Sequence, residues 1–330
     1  MRNGASFRAT RLAVDDAAPA VTEVRAGFCA IVGLPNVGKS TLLNRILGRH
    51  LVAVSAKPQT TRDRILGVHT IELPGEAPDH AQIAYVDTPG VQTGKGPLRR
   101  FMRESALAAA ADADVVLLLL DATDKRGRLP DRLDDPDAAG LGQSALKKPV
   151  IIGLNKVDRA AKPELLPVIE AWAKFQDGVE VVPICALTGE NVERLEQVIA
   201  KKLSAGPPLF PEGMVTDRTP QFIAQEIVRE QLYHQLGKEL PYASAVQVET
   251  WTERKGELVI GAVIFVERSS QKPIVVGRAG HRIRELGIAA RQALAEAFSK
   301  PVHLNLFVKV VEEWSSAERE LKKLGYTGDR

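Results

Sequence analysis

The sequence has little cysteine, few aromatic residues and no long apolar run. Its 330 residues include two cysteines, Cys29 and Cys185, which excludes a disulfide framework and a cysteine-based metal site and favours a reducing compartment. The longest strongly apolar run, residues 115–120, is far shorter than the roughly 20 residues that span a membrane. Residues 1–25 lack the apolar stretch of a secretory signal. We therefore expect a cytoplasmic protein with both cysteines packed in its core.

The composition is otherwise that of an ordinary globular protein, but its charge is unevenly distributed. Hydrophobic residues make up 45% and charged residues 26%, and the length suggests roughly two domains. The formal net charge is only +3. Between residues 268 and 309, however, eight lysines and arginines are opposed only by Glu285 and Glu296. Such a basic stretch is typical of nucleic-acid contact, with a solvated surface as the alternative interpretation.

The first two hundred residues alternate strands with helices. We predict strands at residues 27–32, 82–86, 115–120, 150–154 and 180–184, and helices at 39–47, 98–111, 163–175 and 191–203. This alternation predicts an α/β domain with a mostly parallel sheet and helices on both faces. Residues 121–148 are polar and predict a loop with an irregular helix.

Four prolines at positions 207, 208, 211 and 220 indicate a linker, and a different pattern follows it. We predict helices at 221–240, 283–298 and 313–324, and strands at 244–252, 258–267 and 303–311, which together form an α+β domain. The predicted organisation is a flexible N-terminal extension (1–25), an α/β domain (26–204), a Pro-rich linker (205–220) and an α+β domain (221–330).

A glycine-rich motif joins the first predicted strand to the first helix. Residues 33–40 fit G-x-x-x-x-G-K-[ST], in which backbone N–H groups converge on phosphate oxygens. In this motif Lys39 reaches the β- and γ-phosphates and Ser40 binds Mg²⁺. The candidate phosphate-binding residues are Gly33, Leu34, Pro35, Asn36, Val37, Gly38, Lys39, Ser40 and Thr41.

Two further motifs follow predicted strands. In the first, Asp87 can support the Mg²⁺ shell and the Gly90 N–H can face the γ-phosphate. In the second, Asp158 can accept hydrogen bonds from guanine N1 and N2, a donor pair that adenine lacks. Each motif alone suits an ordinary turn or helix cap, but their order at strand ends predicts a guanine nucleotide site. The candidate residues are Asp87, Thr88, Pro89 and Gly90, then Asn155, Lys156 and Asp158.

A G-x-x-G sequence in the second domain lies inside the basic stretch. We predict it as a loop between a strand-like segment at residues 274–276 and the helix at 283–298. Two glycines allow the backbone to approach a phosphodiester, and Arg278 supplies positive charge. A lone G-x-x-G is often a plain turn, but its basic surroundings favour RNA binding.

Together these motifs resemble the Era family, translation-factor-type P-loop GTPases with a C-terminal type II KH domain. The resemblance covers about residues 26–325 and includes 239–246, 266–274 and 307–311, with Trp314 close behind. Residues 58–62 resemble switch I, which implies that Thr61 binds Mg²⁺, with Thr60 as the alternative. Cys185, Ala186 and Leu187 stand where the family usually has Ser-Ala-Leu, which implies that the Ala186 N–H meets guanine O6.

The resemblance implies Mg²⁺-dependent hydrolysis of GTP to GDP. It assigns catalytic roles to Lys39, Thr61, Gly90 and Asn36, and metal binding to Ser40, Thr61 and Asp87. Val91 stands where many GTPases carry a water-orienting glutamine. Asn36 resembles the asparagine of relatives that use K⁺, so K⁺ stimulation is expected.

The resemblance also implies recognition of the 3′ end of 16S rRNA during assembly of the 30S subunit. The RNA-binding residues would be Lys272, Ile274, Val276, Gly277, Arg278, Ala279, Gly280 and Arg282. We expect a monomer; the family also associates peripherally with the cytoplasmic face of the cell membrane, although this sequence has no clear amphipathic anchor. Two alternatives stay open: an RNA-binding protein that holds GDP structurally, and a signalling or tRNA-modification GTPase whose second domain binds protein.

Overall fold

The computed structural model describes residues 23–55, 62–90, 97–124, 148–175, 179–237 and 240–324. The predicted N-terminal extension lies almost entirely outside the described residues, as do Thr60, Thr61 and Val91 and most of the predicted loop at 121–148.

The first domain is built on a seven-stranded sheet in the order β2-β3-β1-β4-β5-β6, with β7 paired to the start of β1. β2 and β7 are antiparallel to their neighbours and the other pairs are parallel. The strands are β1 (Val24–Val32), β2 (Ile65–Glu72), β3 (His80–Asp87), β4 (Val115–Asp121), β5 (Val150–Asn155), β6 (Glu180–Pro183) and β7 (Ser204–Gly206).

Helices cover both faces of this sheet, which confirms the predicted α/β class. They are α1 (Lys39–Leu47), α2 (Pro97–Asp112), α3 (Lys162–Phe175) and α4 (Val192–Lys201). One apolar core includes Leu42 and Ile199, and the other includes Ala110 and Trp172. Because both faces are covered, strand β5, which lies between β4 and β6, is buried along its whole length.

The edge strand β2 was not among the strands predicted above. It pairs with β3 over its full length, so that Ile65 lies directly opposite Asp87. Its sequence, ILGVHTIE, mixes apolar and polar residues on a half-exposed edge and lacks a continuous apolar run.

The proline-rich segment follows the edge of the first domain. Strand β7 contains the last residue of the predicted α/β domain and the first two residues of the predicted linker. The Gln82 side chain then accepts from the Leu209 and Phe210 N–H groups and donates to the Phe210 carbonyl. Farther on, the Val68 N–H donates to the Val215 carbonyl. The linker is therefore fastened to strands β2 and β3.

The second domain has a three-stranded sheet in the order β10-β9-β8. β8 is antiparallel to β9, and β10 is parallel to it. Helices α5 and α7 pack on one face around Ile227, Ile260 and Leu286. The elements are α5 (Pro220–Gln235), β8 (Ser244–Arg254), β9 (Glu257–Val266), α6 (Lys272–Val276), α7 (His281–Phe298), β10 (Val302–Val310) and α8 (Glu318–Lys323).

Two sequence predictions for this domain were wrong. Residues 274–276 are not strand-like but belong to the short helix α6, which has Pro273 in its first turn. The Gln271 side chain accepts from the N–H groups of Glu267 and Arg268 and starts this turn, which outweighs the local β-branched residues. The terminal helix begins at Glu318 and not at residue 313.

The late start of the terminal helix has a packing cause. Glu313 has a left-handed backbone with φ of 50°, and the next residue, Trp314, is fully buried. The Trp314 Nε1–H donates to the Ala243 carbonyl at 3.1 Å. Trp314 is therefore a packing residue, as is Trp251, whose ring meets that of Phe298 at 5.3 Å.

None of the helices in the described ranges combines the length and the hydrophobicity that a membrane span needs. Those ranges also hold no group of three or more His, Cys, Asp or Glu residues arranged to bind a metal ion.

Candidate functional site

The glycine-rich loop connects β1 to α1, as the sequence predicts. Gly33, Asn36 and Gly38 all have positive φ, so the backbone curls between the end of the strand and the start of the helix. Gly38 has φ of 103°, and a Cβ at this position would fall on the Asn155 amide nitrogen. The close approach of the asparagine therefore requires glycine here.

Lys39 is the first residue of α1, and its side chain reaches back to this loop. Its Nζ donates to the carbonyls of Gly33 and Leu34, at 2.9 and 3.0 Å. Burial lowers the pKa of Lys39 to about 8, and the nearby Asp87 carboxylate partly offsets this effect. A buried ammonium in a ring of backbone groups is arranged to meet phosphate oxygens.

Ser40 and Asp87 form an oxygen pair beside the lysine. The Ser40 hydroxyl donates to the Asp87 carboxylate at 2.8 Å, and Asp87 is fully buried. Hydroxyl and carboxylate oxygens are the ligands that Mg²⁺ prefers, so this pair fits the metal. Thr88 fixes the following turn, since its hydroxyl donates to the Ile31 carbonyl at 2.8 Å.

Asn155 joins the phosphate loop to the loop after β6. Its amide nitrogen donates to the Val37 carbonyl at 2.7 Å, and its amide oxygen accepts from the Ala186 N–H at 2.9 Å. The neighbouring Lys156 Nζ donates to the Asn36 carbonyl and forms an ion pair with Asp121 at 2.6 Å. Two motifs separated by more than a hundred residues are thus held together.

The residues predicted to recognise the base lie next to this junction. The Cys185 thiol donates to the Asp158 carboxylate at 3.1 Å. The Arg45 side chain donates to the carbonyls of Ala186 and Leu187, which anchors the loop to α1. The loop therefore keeps a fixed position although cysteine replaces the usual serine.

Most of the predicted nucleotide-binding residues line one cleft or the adjoining groove. The cleft also contains residues that sequence reasoning missed, because they carry no motif: Ala53, Val54 and Ser55. Predicted residues lining the cleft are Pro35, Asn36, Gly38, Lys39, Ser40, Thr41, Gly90 and Lys156. The adjoining groove brings in Ala186 and Leu187 beside Thr41 and Arg45.

The G-x-x-G sequence lies between two helices rather than after a strand. Gly277 has φ of 74°, and a Cβ there would lie 2.6 Å from the Arg282 Cβ. Ala279 also has positive φ, at 51°. The loop therefore bends sharply and exposes Arg278 and Ala279.

The remaining predicted RNA residues surround this loop. Lys272 and Ile274 are exposed on α6, whereas Val276 and Gly280 are half-buried. The Arg282 guanidinium donates to the Ile274 carbonyl at 2.8 Å, so it braces α6 against α7. Exposed cations and an exposed isoleucine thus lie close together in the chain around this loop.

Comparison with known proteins matches both parts of the chain. Residues 28–156 match the family described as 50S ribosome-binding GTPase, and residues 239–315 match the KH domain. GTPase Era of Geotalea uraniireducens is 43% identical over 309 residues, which cover 92% of this chain and 98% of that protein. GTPase Era of Azotobacter vinelandii is also 43% identical, with 92% and 97% covered.

This chain belongs to the Era family of GTPases. Two solved Era structures superpose on it with a TM-score of 0.83 and 39% identity, each over 92% of this chain. One is a variant of Aquifex aeolicus Era bound to GDP·AlF4⁻, all of which is covered. The other is Era in complex with MgGDPNP and nucleotides 1506–1542 of 16S ribosomal RNA, with 99% covered.

Membership of the Era family accounts for the two-part architecture. The α/β domain is the GTPase domain, and the three-stranded sheet with its helices is the KH domain. The predicted fold class and GTPase activity are confirmed on this basis. The predicted domain boundaries stay a prediction.

Proposed function

We propose that this Era-family GTPase binds and hydrolyses GTP in the cleft around Lys39 and binds the 3′ end of 16S rRNA with the G-x-x-G face. GTP occupancy and RNA occupancy would act together as a switch in assembly of the 30S subunit. One observation carries the proposal. Asn155 is hydrogen-bonded both to the phosphate loop and to the loop after β6, which is predicted to contact the base. The KH domain of the same chain carries a G-x-x-G whose two central residues are exposed.

The roles in hydrolysis follow from the positions of the side chains. Lys39 offsets the negative charge on the β- and γ-phosphates, and Gly90 lines the cleft where its N–H can face the γ-phosphate. Ser40, Asp87 and Thr61 would hold Mg²⁺, which neutralises charge on the phosphate oxygens. Water attacks the γ-phosphorus, the bond to the β-phosphate oxygen breaks, and GDP and phosphate leave.

Guanine specificity is assigned to the two loops beyond the phosphates. Asp158 would accept from guanine N1 and N2, and the Ala186 N–H would donate to guanine O6. Lys156 would lay its stem on the base. Asp158 is exposed, so a bound base would cover its carboxylate. Adenine would leave the covered carboxylate without its two donors, at a cost of about 1–3 kcal/mol, which favours guanine.

We also propose that K⁺ stimulates hydrolysis through Asn36. Asn36 has a left-handed backbone, with φ of 64°, and lines the cleft beside Lys39. A monovalent cation at this position would add positive charge where charge develops in the transition state. The test is the single-turnover rate in saturating K⁺ or Na⁺ at equal ionic strength. A K⁺-dependent increase that Asn36→Ala removes is expected, and equal rates in the two salts would contradict the role.

RNA binding is assigned to the exposed face around the G-x-x-G. Arg278 and Lys272 are the exposed cations that would meet phosphates, and Ile274 is an exposed apolar contact with 45% of its surface accessible. The solved Era complex with a 16S rRNA fragment supports this choice of ligand. We further propose that the protein binds the 30S subunit as a monomer; membrane association remains an expectation from the resemblance.

The deciding experiment measures GTP hydrolysis with and without an RNA oligonucleotide matching the 3′ end of 16S rRNA. We expect this RNA to speed turnover and a scrambled RNA of the same composition to have no effect. The variant carrying both Arg278→Asp and Ala279→Asp should lose RNA binding and retain GDP affinity. Unchanged RNA affinity in that variant would exclude this face as the binding site.

The same assay separates the two alternative functions. An RNA-binding protein that holds GDP only structurally would show no single-turnover hydrolysis. A GTPase whose second domain binds protein would hydrolyse GTP but bind RNA weakly, without the steep salt dependence of phosphate contacts.

A further inference from the structure

Asp121, the last residue of β4, belongs to none of the motifs but contacts one of them. Its Oδ2 accepts from the Lys156 Nζ at 2.6 Å. Both groups are mostly covered, since 18% of the Asp121 side chain and 25% of the Lys156 side chain are exposed. Solvent and salt weaken a covered ion pair less than an exposed one. The pair is therefore suited to hold the lysine in one position.

The other carboxylate oxygen fixes the orientation of Asp121. Its Oδ1 accepts from the Thr123 N–H at 2.8 Å and from the Thr123 hydroxyl at 2.7 Å. Burial acts to raise the pKa of the Asp121 carboxyl, but the hydrogen bonds from Lys156 and Thr123 outweigh it and hold the pKa below its usual 3.8. The carboxylate is therefore charged at neutral pH, with one oxygen tied to Thr123 and the other directed at the lysine.

The strand pairing places these residues at the nucleotide site. Asp121 lies beside Asn155 at the carboxyl ends of β4 and β5, and the Ala122 N–H donates to the Asn155 carbonyl at 2.8 Å. The next residue, Lys156, has a left-handed backbone with φ of 66°. This conformation is unfavourable for a residue other than glycine, and it persists where the surroundings enforce it. The start of the lysine side chain is thus fixed close to the end of β5.

The ammonium at the other end of this side chain joins two further segments. Besides its contact with Asp121, the Lys156 Nζ donates to the Asn36 carbonyl of the phosphate loop at 2.7 Å. Lys156 lines the nucleotide cleft, so its stem is held at the cleft between two fixed ends. A lysine side chain has a large rotamer entropy, which is lost when the side chain is ordered. Both contacts lie within the protein, so this entropy is lost in folding rather than in nucleotide binding.

We propose that Asp121 is a positioning residue for guanine nucleotide binding, because its carboxylate holds the Lys156 stem in the orientation that covers the base. The inference rests on the proposed function for the contact between that stem and the base. Asp121 needs no contact with the nucleotide for this role. A stem that is ordered within the protein contributes its packing area without an entropy cost at binding, so the affinity for the nucleotide rises.

A local role for Asp121 makes a different prediction. The Asp124 N–H donates to the Asp121 carbonyl at 3.1 Å, so residues 121–124 form a turn that the Thr123 contacts support. Asparagine accepts hydrogen bonds in such turns as aspartate does. It has no charge, however, and its N–H₂ would face the Lys156 ammonium when its oxygen faces Thr123. Asp121→Asn therefore preserves the turn and breaks the ion pair.

Titration of the full chain with fluorescent GDP measures the effect on affinity. Asp121→Asn should weaken binding about tenfold, the size expected for one charged hydrogen bond. Asp121→Glu restores the carboxylate and should bind GDP within about threefold of the wild type. The matched control is Asp114→Asn. Asp114 precedes β4 at its opposite end and accepts from the Phe28 N–H at 2.8 Å, a contact that asparagine keeps, so this variant should bind GDP as the wild type does.

A double-mutant cycle shows whether Asp121 acts through Lys156. Lys156→Met keeps an unbranched stem and removes the ammonium. In this background Asp121→Asn should weaken GDP binding by less than about twofold, because the two residues share one interaction. A loss of about tenfold in both backgrounds would show that Asp121 acts by another route and would overturn the proposal.

The Lys156 ammonium gives a second readout that does not depend on nucleotide affinity. A hydrogen-bonded ammonium exchanges slowly with water and is visible by ¹⁵N–¹H NMR of its Nζ, and Lys156→Met assigns the resonance. We expect this resonance in the nucleotide-free wild type and expect Asp121→Asn to abolish it, whereas a role confined to the turn would leave it unchanged. The wild-type spectrum decides the question even if Asp121→Asn is unstable, since an absent Lys156 resonance overturns the proposal.

The outcomes separate this inference from the proposed function. Unchanged GDP affinity in Lys156→Met would remove Lys156 from the base site and would overturn both the base contact and the role of Asp121. Weaker binding in Lys156→Met together with wild-type binding in Asp121→Asn would overturn the role of Asp121 alone and leave the proposed base contact standing.

Discussion

The Cys185 thiol donates a hydrogen bond to the Asp158 carboxylate at 3.1 Å. Asp158 is the residue expected to read the guanine base, so the cysteine holds the base-reading carboxylate in place. The usual serine of the family would form the same contact with a hydroxyl. The replacement therefore changes the donor atom and keeps the arrangement.

The donor role of Cys185 predicts the effect of two substitutions. Cys185→Ser should keep GDP affinity within about threefold, because a hydroxyl restores the donor. Cys185→Ala removes it and should weaken binding about fivefold, which corresponds to about 1 kcal/mol. Titration with fluorescent GDP measures both. Equal affinities for the alanine and serine variants would contradict the role.

The carboxylate of Asp158 predicts a change of base preference. In Asp158→Asn the amide has only one acceptor atom and presents an N–H₂ donor, so it should lose the pairing with guanine N1 and N2. We expect GTP affinity to fall about 100-fold and xanthosine triphosphate affinity to rise, since xanthine offers an acceptor at the 2-position. Competition binding with both nucleotides measures this, and Glu164→Gln on α3 is the control. Retained GTP preference would contradict the assignment.

The two arginines beside the G-x-x-G should behave differently. Arg278 is exposed, whereas Arg282 donates to the Ile274 carbonyl and braces the loop. Arg278→Ala should reduce the slope of log affinity against log salt by about 0.7, as expected for one lost phosphate contact on single-stranded RNA. Arg282→Ala should instead lower the unfolding free energy by about 1 kcal/mol. Identical salt slopes for Arg278→Ala and the wild type would remove Arg278 from the phosphate contacts.

The His50–Glu230 pair predicts a pH-sensitive contact between the domains. The side-chain hydrogen bond to Glu230 raises the pKa of His50 above its usual 6.5, burial opposes this, and the charges of Glu230 and of Glu296 on α7 add to it. His234 on α5 also faces Glu230, at 3.9 Å. Because the folded pKa is raised, the contact stabilises fully below pH 6.5 and is lost as the pH rises through the folded pKa.

Titration of the His50 ring by NMR tests this behaviour. An apparent pKa above 6.5 is expected for the wild type, and Glu230→Gln should lower it. His303, which is exposed on β10, is an internal reference that Glu230→Gln should leave unmoved. A His50 that titrates at or below 6.5 in the wild type would contradict the contact.

The sequence predicts the nucleotide site well because that site is built from local motifs. The loop around Lys39 and the strand ends at Asp87 and Asn155 carry their chemistry within a few residues, and parallel strands bring such ends together. The strand predicted at residues 274–276 was wrong, because the Gln271 side chain and Pro273 start a helix there despite the β-branched residues. It also missed the β2 edge strand, whose pattern is not strongly periodic.

Contacts between distant segments could not be predicted in this way. Arg62 reads as a polar residue of switch I, and its acceptors are mostly backbone carbonyls from residues about 180 positions away. Carbonyls carry no sequence signature, so nothing in the local pattern marks them as partners. The same holds for Val54, whose carbonyl meets His234.

The fastening of the proline-rich segment changes what the connection between the domains can do. A free chain of residues 205–220 would let its ends wander by roughly 20 Å and would act as a tether. Here the Gln82 side chain accepts hydrogen bonds from the Leu209 and Phe210 N–H groups, and the Val215 carbonyl accepts one from Val68 of β2. Most of the segment is therefore fixed to the edge of the sheet. The attachment continues up to the first helix of the KH domain, because Arg218 pairs with Asp63 at 3.2 Å and the Thr216 hydroxyl donates to the Leu66 carbonyl at 2.6 Å. The connection therefore acts as a bonded strip along the sheet edge, which fixes where the KH domain begins.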